Sequence, residues 1–222
     1  MWRDAALVAG KDLRIELRSR VAINQVAPFA VIVLVLFGFA LEPDRGFLTT
    51  AAPGLFWIAV VFCALLAVQR SFAVEASDSA KDSLRMSGLD PAGIFLGKAG
   101  AVGLELVALE VLLVAGIVVL YGTTLQGGTL LLAAAVAATV GLAACGTLYG
   151  ALSAGLRVRE TLLPLLILPV VAPVLLGATR AWEVALGQSA DNGWQWVILL
   201  TVFAVIYVTV GVLAFGTLLE EA

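Results

Sequence analysis

Six apolar runs separated by polar stretches organise the 222-residue chain. They fall at about residues 21–41, 53–68, 99–121, 129–156, 161–178 and 194–219. A bilayer core takes about 20 apolar residues per helix, so each run predicts a transmembrane helix. The second and fifth are short. They span only if flanking residues contribute or the helices stand upright. The polar stretches are short as well, apart from the first 20 residues and one long insert, residues 69–98.

Both of these polar segments read as amphipathic helices. In residues 1–20, Trp2, Ala6, Ala9, Leu13 and Leu17 form an apolar stripe, and Arg3, Lys11, Arg14 and Arg18 form a second face. That pattern predicts a helix in the membrane interface. In the insert, Phe72, Ala76, Ala80 and Leu84 recur every four residues, ringed by Glu75, Asp78, Lys81, Asp82 and Arg85. Gly88 can end that helix. Asp90 and Pro91 then supply an N-cap and first-turn proline for the helix that becomes the third span.

Composition and charge sharpen this reading. The chain is 62% hydrophobic with a mean hydropathy of +1.07, against roughly 45–50% apolar for soluble domains. With six spans, eleven of the 13 Lys and Arg residues lie on one side, and only Arg45 and Arg180 lie on the other. The positive-inside rule then puts both termini and residues 69–98 in the cytoplasm of a multi-pass plasma (inner) membrane protein. No basic aromatic stripe suggests nucleic acid, and no cleavable signal pattern is expected at the start. Trp182, Trp194 and Trp196 flank the last external loop, where indoles serve as interface anchors.

Features inside the spans are few. Ala133, Ala137, Gly141 and Cys145 form one row of small residues, and Gly146, Gly150 and Ala154 form another. Such rows let helices approach closely, within the bundle or toward a second subunit. In the fifth run, Pro169 and Pro173 remove the donors for the carbonyls of Leu165 and Pro169. A kinked or broken helix packed against protein is expected there, acting as a hinge or a static kink. Glu105 and Glu110 lie in the third run, about 140° apart on a helix. They do not form a paired-carboxylate site. Each is expected to face the bundle or a wet cavity, the alternative being that one or both are protonated or that one nears the interface.

Little catalytic chemistry remains. The chain has no histidine, the commonest metal ligand and general base. Cys63 and Cys145 fall in apolar runs and read as packing residues. Residues 93–99, GIFLGKA, miss a phosphate loop by one residue between the glycines and by having Ala99 where a hydroxyl is needed. They read instead as the ramp into the third span. No nucleophile elbow appears. A non-enzymatic single membrane domain over residues 1–222 is expected, with no metal and no stably bound cofactor.

The arrangement resembles the ABC-2-type permeases: six spans, an N-terminal interfacial helix, and a polar helix between spans two and three with Arg70, Pro91 and Lys98 around it. Two stretches are similar to the CcmB family, the permease subunit of the cytochrome c maturation haem exporter. One is APGLFWIAVVFCALLAVQRSFAVEASDSAKDSLRMSGLDP, through Ala52, Pro53, Gly54, Trp57, Leu66, Ala67, Arg70, Phe72 and Leu84. The other is RETLLPLLILPVVAPVLLGA. Gln69 stands where the family often has Glu, and Asp78-Ser79 where Asp-Gly is common.

The resemblance implies a separate ATP-binding subunit, CcmA, together with CcmC and CcmD. It also implies indirect action on the haem chaperone CcmE and a second CcmB copy in the membrane lipid. Haem would be a transported or partner-bound species, and ATP would sit on the partner. The 75–87 helix would dock on the ATPase through Phe72, Ala80 and Leu84. Arg70, Glu75, Asp78, Lys81, Asp82 and Arg85 would set register, and Pro169 and Pro173 would let span five yield. An ABC-2-type exporter of a lipid, drug or polysaccharide is the alternative, and an assembly factor without an ATPase is a third reading.

Overall fold

The computed structural model describes residues 1–20, 22–40, 45–73, 88–154 and 159–221, and every regular element among them is helical. In order these are α1 (Trp2–Ser19), a π-helical turn (Ala22–Val26), α2 (Ala27–Ala40), α3 (Arg45–Ala73), α4 (Pro91–Tyr121), α5 (Gly128–Ala154), α6 (Arg159–Ala185) and α7 (Gly193–Glu221). Helices α3 to α7 are each long and apolar enough to cross a membrane. A sixth crossing arises if α1 and the helix from Asn24 to Ala40, which meet at 54°, count as one bent span. The polytopic all-α architecture is as the apolar pattern predicts.

The two short runs span because flanking residues contribute. The second belongs to a 29-residue helix with Pro53 in its interior. Pro53 has no N–H to give the Thr49 carbonyl. The structure supplies that donor from elsewhere: Gln188 Nε2, in the loop after α6, donates to Thr49 O at 2.7 Å. The helix therefore runs through the proline instead of starting at it. The fifth run also lengthens, to a 27-residue helix that continues past Arg180. Arg180 is tolerated because it stays half-exposed and pairs with Glu183 at 2.9 Å.

Of the kinked or broken helix expected at Pro169 and Pro173, the break does not occur, since both lie within one continuous helix, and neither proline packs against protein. The reason is their placement. Both prolines fall on the outward row with Leu165 and Leu176, while Leu163, Ile167, Val171 and Val174 pack inward. The missing bonds thus lie away from the packed seam, and the helix remains one element.

The small-residue rows of α5 serve the bundle itself. A Cβ on Gly141 would come within 3.0 Å of Phe203 of α7, and one on Gly146 within 2.6 Å of Val68 of α3. Gly150 leaves the space that Phe72 fills. Cys63 and Cys145 are free and buried, as packing residues should be. Trp182 is not an interface anchor. It is 2% exposed and stacks on Phe56 at 4.2 Å, edge-on to Trp57 at 5.5 Å. Trp194 remains exposed, while Trp196 packs against the core.

The Gln188 bond is testable by thermal unfolding of the detergent-solubilised chain. Gln188→Leu is expected to destabilise by about 1 kcal/mol, the size of one net hydrogen bond. In a Pro53→Ala background, where an alanine N–H restores the helical donor, that loss should vanish. An equal loss in both backgrounds would contradict the assignment.

Candidate functional site

The site lies where α1, the end of α3 and the start of α4 meet. Helix α4 has 31 residues, a length of about 46 Å at 1.5 Å per residue, against about 30 Å of hydrocarbon. Its first turns therefore extend beyond a bilayer core and offer a surface to α1. Asp90 caps this end, accepting from the Ala92 N–H at 3.1 Å, with Pro91 in the first turn. Both features are legible in the sequence.

Two glycines let α1 approach. A Cβ on Gly93 would sit 2.8 Å from the Met1 carbonyl, and one on Gly97 would sit 2.6 Å from the Ala5 carbonyl and 2.7 Å from Val8 Cβ. The GIFLG segment is thus more than a ramp into the span. Its i,i+4 glycines form a cradle for close helix-to-helix contact. Asp4 adds a clasp, accepting from the Asp90 N–H at 3.3 Å.

Close approach brings charges together. Lys98 is only 1% exposed, and a buried cation must be paired or desolvation makes it prohibitive. Its ammonium lies 3.5 Å from Asp12 of α1, 3.5 Å from the Ser71 hydroxyl of α3, and 4.8 Å above the Phe72 ring. Lys11 contacts the other oxygen of Asp12 at 3.0 Å. One helical turn further along α1, Glu16 pairs with Arg70 of α3, whose second nitrogen reaches Glu105 of α4 at 3.2 Å. Asp12, Glu16 and Glu105 thus balance Lys11, Arg70 and Lys98. A cleft of about 360 Å³ runs beside these residues, lined also by Gln25, Ser19 and Ala101.

This geometry places the residues expected to matter as follows. Arg70 and Phe72 are engaged within the chain, Arg70 between two carboxylates and Phe72 in the α5 groove at Gly150. Glu75, Asp78, Lys81, Asp82, Leu84 and Arg85 lie outside the described residues. Glu105 and Glu110 face different partners, as their angular separation predicts. Glu110 is buried against Thr139 of α5, whose hydroxyl lies 2.5 Å from its carboxyl and 2.8 Å from the Ala135 carbonyl. Thr139, donating to Glu110, ties α4 to α5 at this point.

The acidic row of α1 is the part of the site that the sequence pattern does not announce. Asp4, Asp12 and Glu16 sit among a stronger apolar stripe and a basic face. Their spacing of eight and four residues, beside the Gly93–Gly97 pair, is the signal that marks the docked face. Ala5 and Val8, buried on the same side, complete it.

Comparison with known proteins fits this architecture. The sequence profile of the CcmB protein family matches residues 4–221. The chain is 31% identical over 197 residues to the heme exporter protein B of Haemophilus influenzae, covering 85% of each chain. It is 28% identical over 204 residues to that of Pseudomonas aeruginosa, covering 90% of each. To that of Paracoccus denitrificans it is 29% identical over 180 residues, covering 77% of this chain and 78% of the relative.

The network predicts coupling between helices. A double-mutant cycle on Arg70→Gln and Glu105→Gln, read by reversible denaturant unfolding in detergent, should give an interaction energy of about 0.5–3 kcal/mol. Strictly additive effects would mean that the two side chains do not sense one another.

Proposed function

The chain belongs to the CcmB family, and on that premise we propose that it is the transmembrane subunit of a haem-export ABC complex serving cytochrome c maturation. The observation that carries this reading is the family match over residues 4–221, joined to relatives whose name is heme exporter protein B. It is a multi-pass membrane protein of transporter type, without catalytic work of its own. On this reading ATP hydrolysis resides in a separate subunit, CcmA. CcmC and CcmD complete the assembly, a second copy of this chain pairs with the first, and the haem-loaded chaperone CcmE is served indirectly. Both termini and residues 69–98 lie on the cytoplasmic side of the inner membrane, in keeping with the Lys and Arg distribution.

The coupling path follows from what flanks the insert. Residues 74–87 join the end of α3 to the start of α4, and α1 is tied to both junctions. Asp4 holds Asp90, and Asp12 and Glu16 hold Lys98 and Arg70. A push on the insert by the ATPase is therefore shared by three helices. Phe72 being buried, the docking surface falls to Leu84 and its neighbours, with Glu75, Asp78, Lys81, Asp82 and Arg85 setting register. Pro169 and Pro173, on the outward row of α6, leave fewer backbone bonds to resist bending there. With no histidine in the chain, a stable His-ligated haem would take its histidines from a partner, or this subunit transmits force alone.

Two measurements test this reading. Leu84→Asp should abolish co-purification of the ATPase while leaving membrane insertion intact, and unchanged co-purification would sink the docking surface. A strain lacking this chain should lose covalent haem staining of its c-type cytochromes. Normal staining would point instead to an exporter of another substrate.

A further inference from the structure

Helix α1 has three sides, and the bundle uses only one. At about 100° per residue, Ala5, Val8, Asp12 and Glu16 share the docked side. Trp2, Ala6, Leu13 and Leu17 fall on a second side, where Trp2 is 74% and Leu17 71% exposed. Arg3, Arg14 and Arg18 fall on a third, within about 60° of one another, and all three are exposed. The carboxylates of α1 are engaged elsewhere: Asp4 with Asp90, Asp12 with Lys98 and Lys11, and Glu16 with Arg70. The arginine edge is left as positive charge directly beside an uncovered apolar row.

A surface that presents cations along one edge and hydrocarbon along the next matches one partner chemistry closely. The acyl chains of a phospholipid take the apolar row, and an anionic headgroup takes the guanidinium forks. Arginine stems are long enough to bring their heads to the headgroup level from an obliquely held helix, and α1 stands at 54° to the helix that follows. We propose that the Arg3–Arg14–Arg18 edge of α1 is a binding site for anionic phospholipid headgroups. Because the opposite edge of α1 grips Arg70 and Lys98, lipid held there steadies the network that joins α3 and α4. Such binding is a property of this chain alone, independent of the haem-export reading.

The test uses the full chain reconstituted in phosphatidylcholine bilayers containing trace spin-labelled phosphatidylglycerol or, separately, spin-labelled phosphatidylcholine. The protein-immobilised fraction of each label is measured by electron paramagnetic resonance. The native chain should retain phosphatidylglycerol in preference, and raised salt should weaken that preference. The Arg3→Gln, Arg14→Gln, Arg18→Gln triple variant should lower it at least about fivefold, the scale of one cation at an anionic leaflet. The corresponding triple Arg→Lys variant should keep it. Equal retention of the two lipids by the native chain overturns the proposal, as does a preference unchanged in the Gln variant. Displacement by inorganic phosphate at constant ionic strength would assign the edge to a soluble anion. Loss of a co-purifying protein with lipid preference intact would assign it to a protein partner. Either outcome also overturns the proposal.

Discussion

A lysine with 1% exposure sets the terms for this half of the molecule. Lys98 stands in α4, and Asp12 of α1 supplies a counter-charge from across the helix interface. Bringing α1 that close requires a surface without side chains, which Gly93 and Gly97 provide. Glu16 then falls in reach of Arg70, and Arg70 of Glu105. One buried charge therefore explains the two glycines, the acidic row of α1 and the inward turn of Arg70. Taking away one member leaves an uncompensated charge, which costs more than the intact set contributes.

The same logic of supplying missing partners recurs at the opposite end of the bundle. Pro53 strips a donor from the Thr49 carbonyl and Gln188 replaces it from another helix connection. The Tyr121 hydroxyl donates to the Leu34 carbonyl at 2.8 Å, tying α4 to α2. The Tyr121 bond is buried, so no water competes with it. A few polar contacts between helices thus fix the geometry, while small residues and the Phe56–Trp57–Trp182 cluster set how closely the helices pack.

Much of the fold is legible in the sequence because apolar length and capping chemistry are local properties. The six runs, the Asp90-Pro91 start, the small rows of α5 and the divergence of Glu105 from Glu110 follow from residues near one another in the chain. What escapes depends on distant partners. Pro53 looks like a helix limit until Gln188 is in place to accommodate it. Trp182 looks like an anchor because its stacking on Phe56 spans two helices. At the site, Arg70 and Lys98 stand out as positions, but their partners lie on α1, 54 and 86 residues away. The apolar stripe of α1 dominates its sequence pattern, yet the acidic row is the one that packs.

Helix α1, on this view, is held on α4 as one body. Gly10 and Gly100 both face open space, so spin labels at Gly10→Cys and Gly100→Cys, in a chain whose native cysteines are buried, report the spacing of the two helices by double electron–electron resonance. One narrow distance is expected in the native background. In Gly97→Val, where the new side chain meets the Ala5 carbonyl and Val8, the distribution should lengthen and broaden. A broad distribution in the native background, or one left unchanged by Gly97→Val, would contradict the docking of α1 on α4.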